Sequence, residues 1–408
     1  MDTIKAVSSA PGKTILFGEH SVVYSPNVAV ATALSSLRIR SVVEASQAGG
    51  DRNGGGMIEA NLRDVKEGGL GCRLRCCDVL ELELWADEEA EGGLVPLGEE
   101  KISQIRKLVK EKGGVGEEED VTPLVPLVAL VGGVLGKKEW LERRNVKITV
   151  HSKSLPVGSG LGSSAAFCVS LSAALLSVRE GGGEGVEAVP GREELEKINT
   201  WGYHGESIIH GAPSGIDNTV STYGGCVKMR RVLHEGGAGS TEKEIFKLEE
   251  PIEVLITNTF VPKSTKGLVA GVRRRWEGER GVYEAIFKAM SEISESFLRG
   301  GWTLEGMNEN VRVAQGLLRT IGVSHPALEM VVETSRVYGV ESKLTGAGGG
   351  GCAISILHKK VDEETRQKVE KAMGGLAWEG EGEGGRERRT FEVVRTEAGG
   401  RGVTVGSW

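Results

Sequence analysis

The sequence predicts an α+β protein of two lobes, and three observations carry the prediction. Its 408 residues exceed what one hydrophobic core usually serves. Short β-branched runs (KITV at 147–150, IEVLIT at 252–257, CAISIL at 352–357, TFEVV at 390–394) alternate with stretches of helical periodicity. The segment from about 260 to 340 is helix-rich, unlike the mixed first half, and reads as a second lobe. A cleft between the lobes follows.

Taken in chain order, the segment from Ser9 to Leu34 reads as a β-hairpin, with Lys13 before a strand-like TILF and Glu19 and His20 at a glycine turn. VTPLVPLVALVGGVLG at 121–136 is shorter than the roughly 20 residues a spanning helix needs and is broken by Pro and Gly, so it predicts a buried helix. AAFCVSLSAALLSV at 165–178 reads as core for similar reasons. REELEKINTWGYHGESIIH at 192–210 has apolar residues at helical spacing, and later helices are predicted over 265–277, 282–299, 302–320 and 326–338. The 61 glycines are about twice the average share. Many lie in NGGG at 53–56, GGGEG at 181–185 and EGEGEGG at 379–385, which read as surface loops without function.

Hydrophobic content of 39% and charged content of 26% exclude a disordered or fibrous chain. With 50 Lys plus Arg against 57 Asp plus Glu, the formal net charge is −7 and no basic run offsets it, which argues against nucleic-acid or anionic-membrane partners. The six cysteines lack zinc-site spacing and read as reduced thiols of a cytoplasmic protein. MDTIKAVSSAPGK lacks the apolar core of a signal peptide and VTVGSW is not a peroxisomal tripeptide, so the mature chain is expected to start near residue 1.

Four segments interrupt this pattern with chemistry. LPVGSGLGSSAAF at 155–167 is a glycine loop running into an apolar helix. Gly158, Gly160 and Gly162 let the backbone approach an anion, and the helix N-terminus turns free N–H groups toward it. It is neither a Walker loop nor GxGxxG. The plain structural alternative is a strand-to-helix turn capped by Ser163. Around Lys13, Glu19 and His20, polar groups in an apolar setting need a partner or ligand, or else decorate a hairpin turn. GESIIHGAPSGIDNTVSTYGG at 205–225 places Glu206 near the end of one helix and Asp217 eleven residues later at the start of another, so that both carboxylates can face one cavity. One suits a metal and the other a proton, although Asp217 also reads as a helix N-cap. SKLTGAGGGGCAISIL at 342–357 holds five glycines between Gly346 and Gly351, suited to close approach by phosphates or another loop.

Together and in this order, these segments resemble the signature of the GHMP kinases. APGK and GEHSVVY resemble the first motif, GSGLGSSAA the ATP loop, GESIIHGAPSGIDNTVSTYGG the third block and KLTGAGGGGC the last. TNTFVPKSTKGLVAGVR at 257–273 is similar to a block of the branch that phosphorylates mevalonate. Galactokinases usually continue GEH with a Thr-Asp pair where this chain has Ser21 and Val22. Two positions depart from the family: Lys153 stands where Ser is frequent, and Lys263 where Arg is frequent.

The resemblance implies a two-lobed GHMP kinase fold, with an N-terminal lobe of ribosomal-protein-S5-like type over 1–235, a ferredoxin-like/helical C-terminal lobe over 236–395, a tail over 396–408, and the active site in the cleft. It implies ATP as co-substrate, Mg²⁺ as cofactor and mevalonate as acceptor. By that resemblance Ser164 and Glu206 hold Mg²⁺, and the backbone from Gly158 through Ser159, Gly160, Leu161, Gly162, Ser163 and Ser164 holds the phosphates, with Asn61 and Lys153 as further nucleotide contacts. Asp217 takes the proton of the acceptor hydroxyl and Lys13 keeps it ionised while facing the phosphates. Glu19, His20, Ser214, Thr265, Gly346 and Ala347 line the acceptor pocket, and Lys263 is expected at the acceptor's carboxylate. A homodimer inhibited by isoprenoid diphosphates is a further implication. Another kinase of the superfamily, galactokinase first, and a silent regulator of the same fold are the alternatives, but the regulator is expected to lose Lys13, Ser164, Glu206 or Asp217.

Overall fold

A computed structural model describes residues 3–24, 26–49, 55–66, 68–85, 95–156, 158–182, 187–233, 239–300, 303–382 and 385–406. Strand β1 (Ile4–Phe17) turns through a short 3-10 segment at Ser21–Val23 and returns as β2 (Val28–Gln47). The first seven residues of β2 are all buried, as in a strand covered on both faces, whereas from Leu37 onward burial alternates with period two. This strand organises the molecule. It pairs with β1, with β5 (Arg144–His151), with β6 (Cys226–Leu233) and, at Leu34 opposite Ala398, with β13 (Glu392–Ala398).

Beyond β5 the sheet continues through β3 (Met57–Leu62) to β4 (Leu70–Arg75). Between β4 and β5 come α1 (Cys76–Leu80), α2 (Glu99–Lys112), α3 (Glu118–Val121), α4 (Leu124–Leu135) and α5 (Lys138–Leu141). The predicted buried helix at 121–136 is α4: Pro123 is its N-cap and Pro126 sits in its first turn, where a missing N–H costs nothing. Its glycines serve packing, because a Cβ on Gly133 would stand 2.4 Å from the Trp201 ring.

After β5 the chain enters α6 (Ser163–Arg179), which lies buried against β1 and β2, with Ser170 sharing a hydrogen bond of 2.8 Å with Ser41. α7 (Arg192–His210) packs on α6 so closely that a Cβ on Gly205 would meet Cys168 Sγ at 2.7 Å. α8 (Ile216–Tyr223) then leads to the hairpin of β6 and β7 (Gly239–Phe246).

The second half contributes β8 (Ile252–Asn258), α9 (Thr265–Gly278), α10 (Arg280–Leu298), α11 (Leu304–Thr320), α12 (Pro326–Arg336), β9 (Ser342–Leu344), β10 (Cys352–Leu357) and α13 (Glu363–Gly374). Helices α9 to α12 match the predicted ranges to within a turn, and α13 was not predicted. β11 (Ala377–Gly382) and β12 (Gly385–Thr390) form a hairpin, so EGEGEGG is not the plain loop expected of it; the register sets Glu379 opposite Arg388. Of the other two glycine loops, residues 53–54 and 183–185 lie outside the described residues. The strand expected over 390–394 is interrupted at Phe391, which is buried and donates its N–H to Leu376 O.

β13 runs between β8 and β2, and β14 (Thr404–Gly406) returns to pair with β1. Arg38 locks that return. Its guanidinium donates to Ser9 O and Gly402 O at 2.8 Å each and to Ser9 Oγ at 2.7 Å. The largest apolar cluster spans both halves, joining Phe17, Leu34 and the interior of α4 and α6 to Val254, Phe297 and Ile354.

Candidate active site

The site begins where β5 gives way to α6. Gly158, Gly160 and Gly162 all have φ between 72° and 83°, which only glycine adopts at little cost. Gly162, not Ser163, is the N-cap of α6. That leaves the first-turn N–H groups facing outward, as an anion site requires. The loop is tied to β1 by Lys13 N–H donating to Leu161 O at 2.8 Å, and a Cβ on Gly162 would stand 2.8 Å from Lys13 Cγ.

The same attachment delivers the Lys13 ammonium. The side chain is largely buried and its Nζ lies 3.0 Å from Asp217 Oδ1. Asp217 is the second residue of α8, behind Gly215 as N-cap with φ 71°, so the capping role open to it in the sequence falls to the glycine. Gly215 is itself held, because Lys243 Nζ donates to its carbonyl at 2.8 Å and Thr219 Oγ1 at 2.5 Å. Lys243 went unnoticed in the sequence, where it is one charge among many in β7.

At the end of α7, Glu206 approaches the same space from the other side. Its side chain is 4% exposed, and Oε1 is buried without a hydrogen-bond partner. Burial, and then the Asp217 charge, push its pKa up to about 7, while Ser164 and Lys13 pull the other way. His210, one turn later, brings Nε2 to 3.2 Å from Ser164 Oγ and 3.9 Å from Glu206 Oε1. Ser164, Glu206 and His210 thus converge, and His210 was not singled out in the sequence because a histidine at a helix end is unremarkable there. A hydroxyl and an orphaned carboxylate oxygen form a hard-oxygen pair that fits Mg²⁺, an ion that takes few protein ligands and completes its shell with water and phosphate. Among the described residues there is no cluster of three or more His, Cys, Asp or Glu that could hold a metal ion.

The second glycine loop closes the space from the other lobe. Cβ atoms built on Gly160 and Gly351 would stand 2.7 and 2.4 Å from Lys263 Nζ, so this ammonium lies between the two glycine loops. Lys263 was expected at the acceptor's carboxylate, and its ammonium stands beside both glycine loops. Burial lowers its pKa. His20 is buried with φ 60°, a conformation that costs a non-glycine residue about 1–3 kcal/mol, and shares a hydrogen bond of 2.9 Å with Ala347 O. Glu19 is also buried, and its carboxylate pairs with Lys343 rather than opening onto the cleft. Ser214 and Thr265 are exposed beside α8 and at the first position of α9, and Gly346 is half-buried.

The other two nucleotide candidates lie on β3 and just after β5. Asn61 stands on β3 opposite Thr149, and its Oδ1 is buried without a hydrogen-bond partner. Lys153 is exposed and lines a separate basic hollow with Lys5, Arg38, Arg40 and His151, so the structure does not bring it to the cradle.

Comparison with known proteins gives the family and the fold. The model of the GHMP kinases N terminal domain matches residues 129–225, and that of the GHMP kinases C terminal matches 295–375. Mevalonate kinase of Homo sapiens is 33% identical over 98% of this chain and 94% of its own length. Mevalonate kinase of Arabidopsis thaliana is 34% identical over 85% and 89%. Among solved structures, Methanococcus jannaschii mevalonate kinase superposes with a TM-score of 0.64 at 20% identity, covering 96% of this chain and 98% of that one, a likeness of fold.

Proposed function

Because the chain belongs to the mevalonate kinase family of the GHMP kinases, we propose a division of labour among its residues for moving the γ-phosphoryl group of ATP onto the hydroxyl of mevalonate, giving 5-phosphomevalonate. Phosphoryl transfer asks a protein for alignment and positive charge rather than covalent chemistry. The N–H groups of 158–164 hold the phosphates against the α6 N-terminus. Asp217 accepts the hydroxyl proton, and Lys13, at 3.0 Å, orients that carboxylate while facing the transferring group. Lys263, between the glycine loops, supplies a second cation to the same oxygens. Ser164 and Glu206 would hold Mg²⁺, which would neutralise negative charge on the phosphates. Asn61 serves the nucleotide, and His20 with Ala347 shapes the acceptor side.

Further parts of the reading rest on the family resemblance: a cytoplasmic homodimer, with isoprenoid diphosphates competing for the ATP site. No helix among the described residues is long and apolar enough to cross a membrane.

The observation that carries the proposal is the Lys13–Asp217 contact at the foot of the phosphate loop, with Glu206 Oε1 left free beside it. A coupled ADP-release assay on mevalonate, galactose and homoserine tests it. Mevalonate is expected to support turnover far above the other two; comparable rates on galactose would sink the acceptor assignment.

A further inference from the structure

The most completely buried ion pair among the described residues has been given to neither nucleotide nor metal. Lys343 Nζ contacts Glu19 Oε1, and both side chains are 1% exposed. The two residues lie 324 positions apart, Glu19 in the turn after β1 and Lys343 in β9, so the pair joins the two halves of the chain. Lys343 also donates to Leu344 O at 2.7 Å, whereas Glu19 Oε2 has no partner. Burial pushes the Glu19 pKa up and that of Lys343 down, each partly offset by the other.

The neighbours give the pair its meaning. Alternate residues of this segment all reach the first strand and its turn: Lys343 meets Glu19, Thr345 Oγ1 lies 2.8 Å from Thr14 Oγ1 and accepts from Ile15 N–H at 3.1 Å, and Ala347 O meets His20 Nε2 at 2.9 Å. Lys343 and Thr345, two apart, share one face where the chain is extended, and the turn at Gly346 and Ala347 then offers the Ala347 carbonyl to His20, so these contacts follow one another as a single seam. Its far end runs into the glycine loop that flanks Lys263. His20 is held there in its costly backbone conformation.

We infer that Lys343 is a positioning residue for the acceptor: through its buried pair with Glu19 it fixes the turn carrying His20 against the glycine loop at Ala347, and so aligns the acceptor hydroxyl with Asp217. Glu19 then acts through Lys343 and His20 rather than by touching substrate. A buried pair is not efficient as a stabiliser, since apolar residues of similar volume often do as well, and its use here is to make one arrangement of the two segments the only satisfied one.

The inference rests on the reading of the cleft as a mevalonate-phosphorylating site, so the wild-type enzyme is first confirmed to turn over mevalonate; failure there refutes that reading and leaves the seam untouched, to be scored with whichever acceptor the enzyme uses. The test is a cycle of Lys343→Met, Glu19→Gln and the double variant, with kcat, both KM values and Tm measured for each. Misplacement of reacting groups by about 1 Å costs about 10²-fold, so each single variant should lose about that much in kcat/KM for the acceptor, with KM for ATP within about threefold of wild type. The double variant should regain Tm, having no uncompensated charge, yet be no slower than the poorer single variant. Should the single variants fail to fold, the neutral double variant carries the test alone, and a wild-type kcat/KM in it overturns the inference. Losses that multiply in the double variant would place Glu19 on the substrate independently of Lys343 and also overturn it. So would lowered Tm with unchanged kinetics, which describes a staple and nothing more.

Discussion

The last turn of α7 and the first turn of α8 each present one acidic side chain to the same space, and they treat it in opposite ways. Glu206 is buried with an oxygen unsatisfied and its pKa pushed up to about 7. Asp217 is 34% exposed and held 3.0 Å from an ammonium. Different environments suit two like groups to different work. In the proposed division of labour, the desolvated oxygen is the one for a divalent cation and the ion-paired one is for the proton. Neither environment is visible in the residue types, which differ by one methylene.

The sharpest way to break this contrast is Asp217→Asn. General-base contributions are about 10²- to 10⁴-fold, and kcat should fall by that order while nucleotide affinity and Tm hold. Unchanged kcat would remove the base from α8. A loss explained by unfolding would do the same.

Lys263→Met asks which substrate the cation between the glycine loops serves. On the phosphate side, its removal should lower kcat by about 10²-fold and raise KM for ATP more than KM for mevalonate. The opposite split in KM would return Lys263 to the acceptor's carboxylate.

The mildest effects belong to Glu206→Gln, which keeps shape and removes charge. The Mg²⁺ concentration giving half-maximal rate should rise about tenfold; equal activity at limiting Mg²⁺ would leave Glu206 as a helix-end residue. The metal-free protein offers an independent reading. With the folded pKa raised from 4.5 to about 7, the unfolded chain releases this proton first as pH rises. Burial of the neutral acid therefore favours the folded state below about 4.5, and that advantage is lost by pH 7 to 8. The loss is on the order of 3 kcal/mol from this group. Metal-free Glu206→Gln should show a flatter decline of Tm across that window than wild type. Parallel declines would mean that Glu206 is not desolvated.

Much of this was legible from sequence, and the limits of legibility are physical. Helices α7 and α9 to α12 and strands β5, β8 and β10 followed from periodicity because each buries one face or a whole apolar run locally. The cradle was legible because glycines at 158, 160 and 162 before an apolar helix have few other uses. The caps left open as alternatives for Ser163 and Asp217 went instead to left-handed glycines, a backbone choice that residue types do not announce. The β11–β12 hairpin was missed because its Glu and Arg positions oppose one another only after pairing. Lys343 was invisible for a related reason: a lysine in a short polar stretch looks solvated until a glutamate from the far end of the chain is brought against it.

The return of β14 to β1 has a consequence for how the molecule is made. Ser9 and Thr404 are register partners separated by 395 residues, and Arg38 seals the junction through Gly402. On a ribosome adding roughly 5–20 residues per second, the edge of β1 waits about 20–80 s for its partner. Until then the first-synthesised strand of the catalytic lobe exposes unpaired backbone, the kind of edge that recruits other chains. Nascent chains stalled short of residue 404 should therefore be the aggregation-prone species, even when the cradle, Lys13 and Asp217 are already translated.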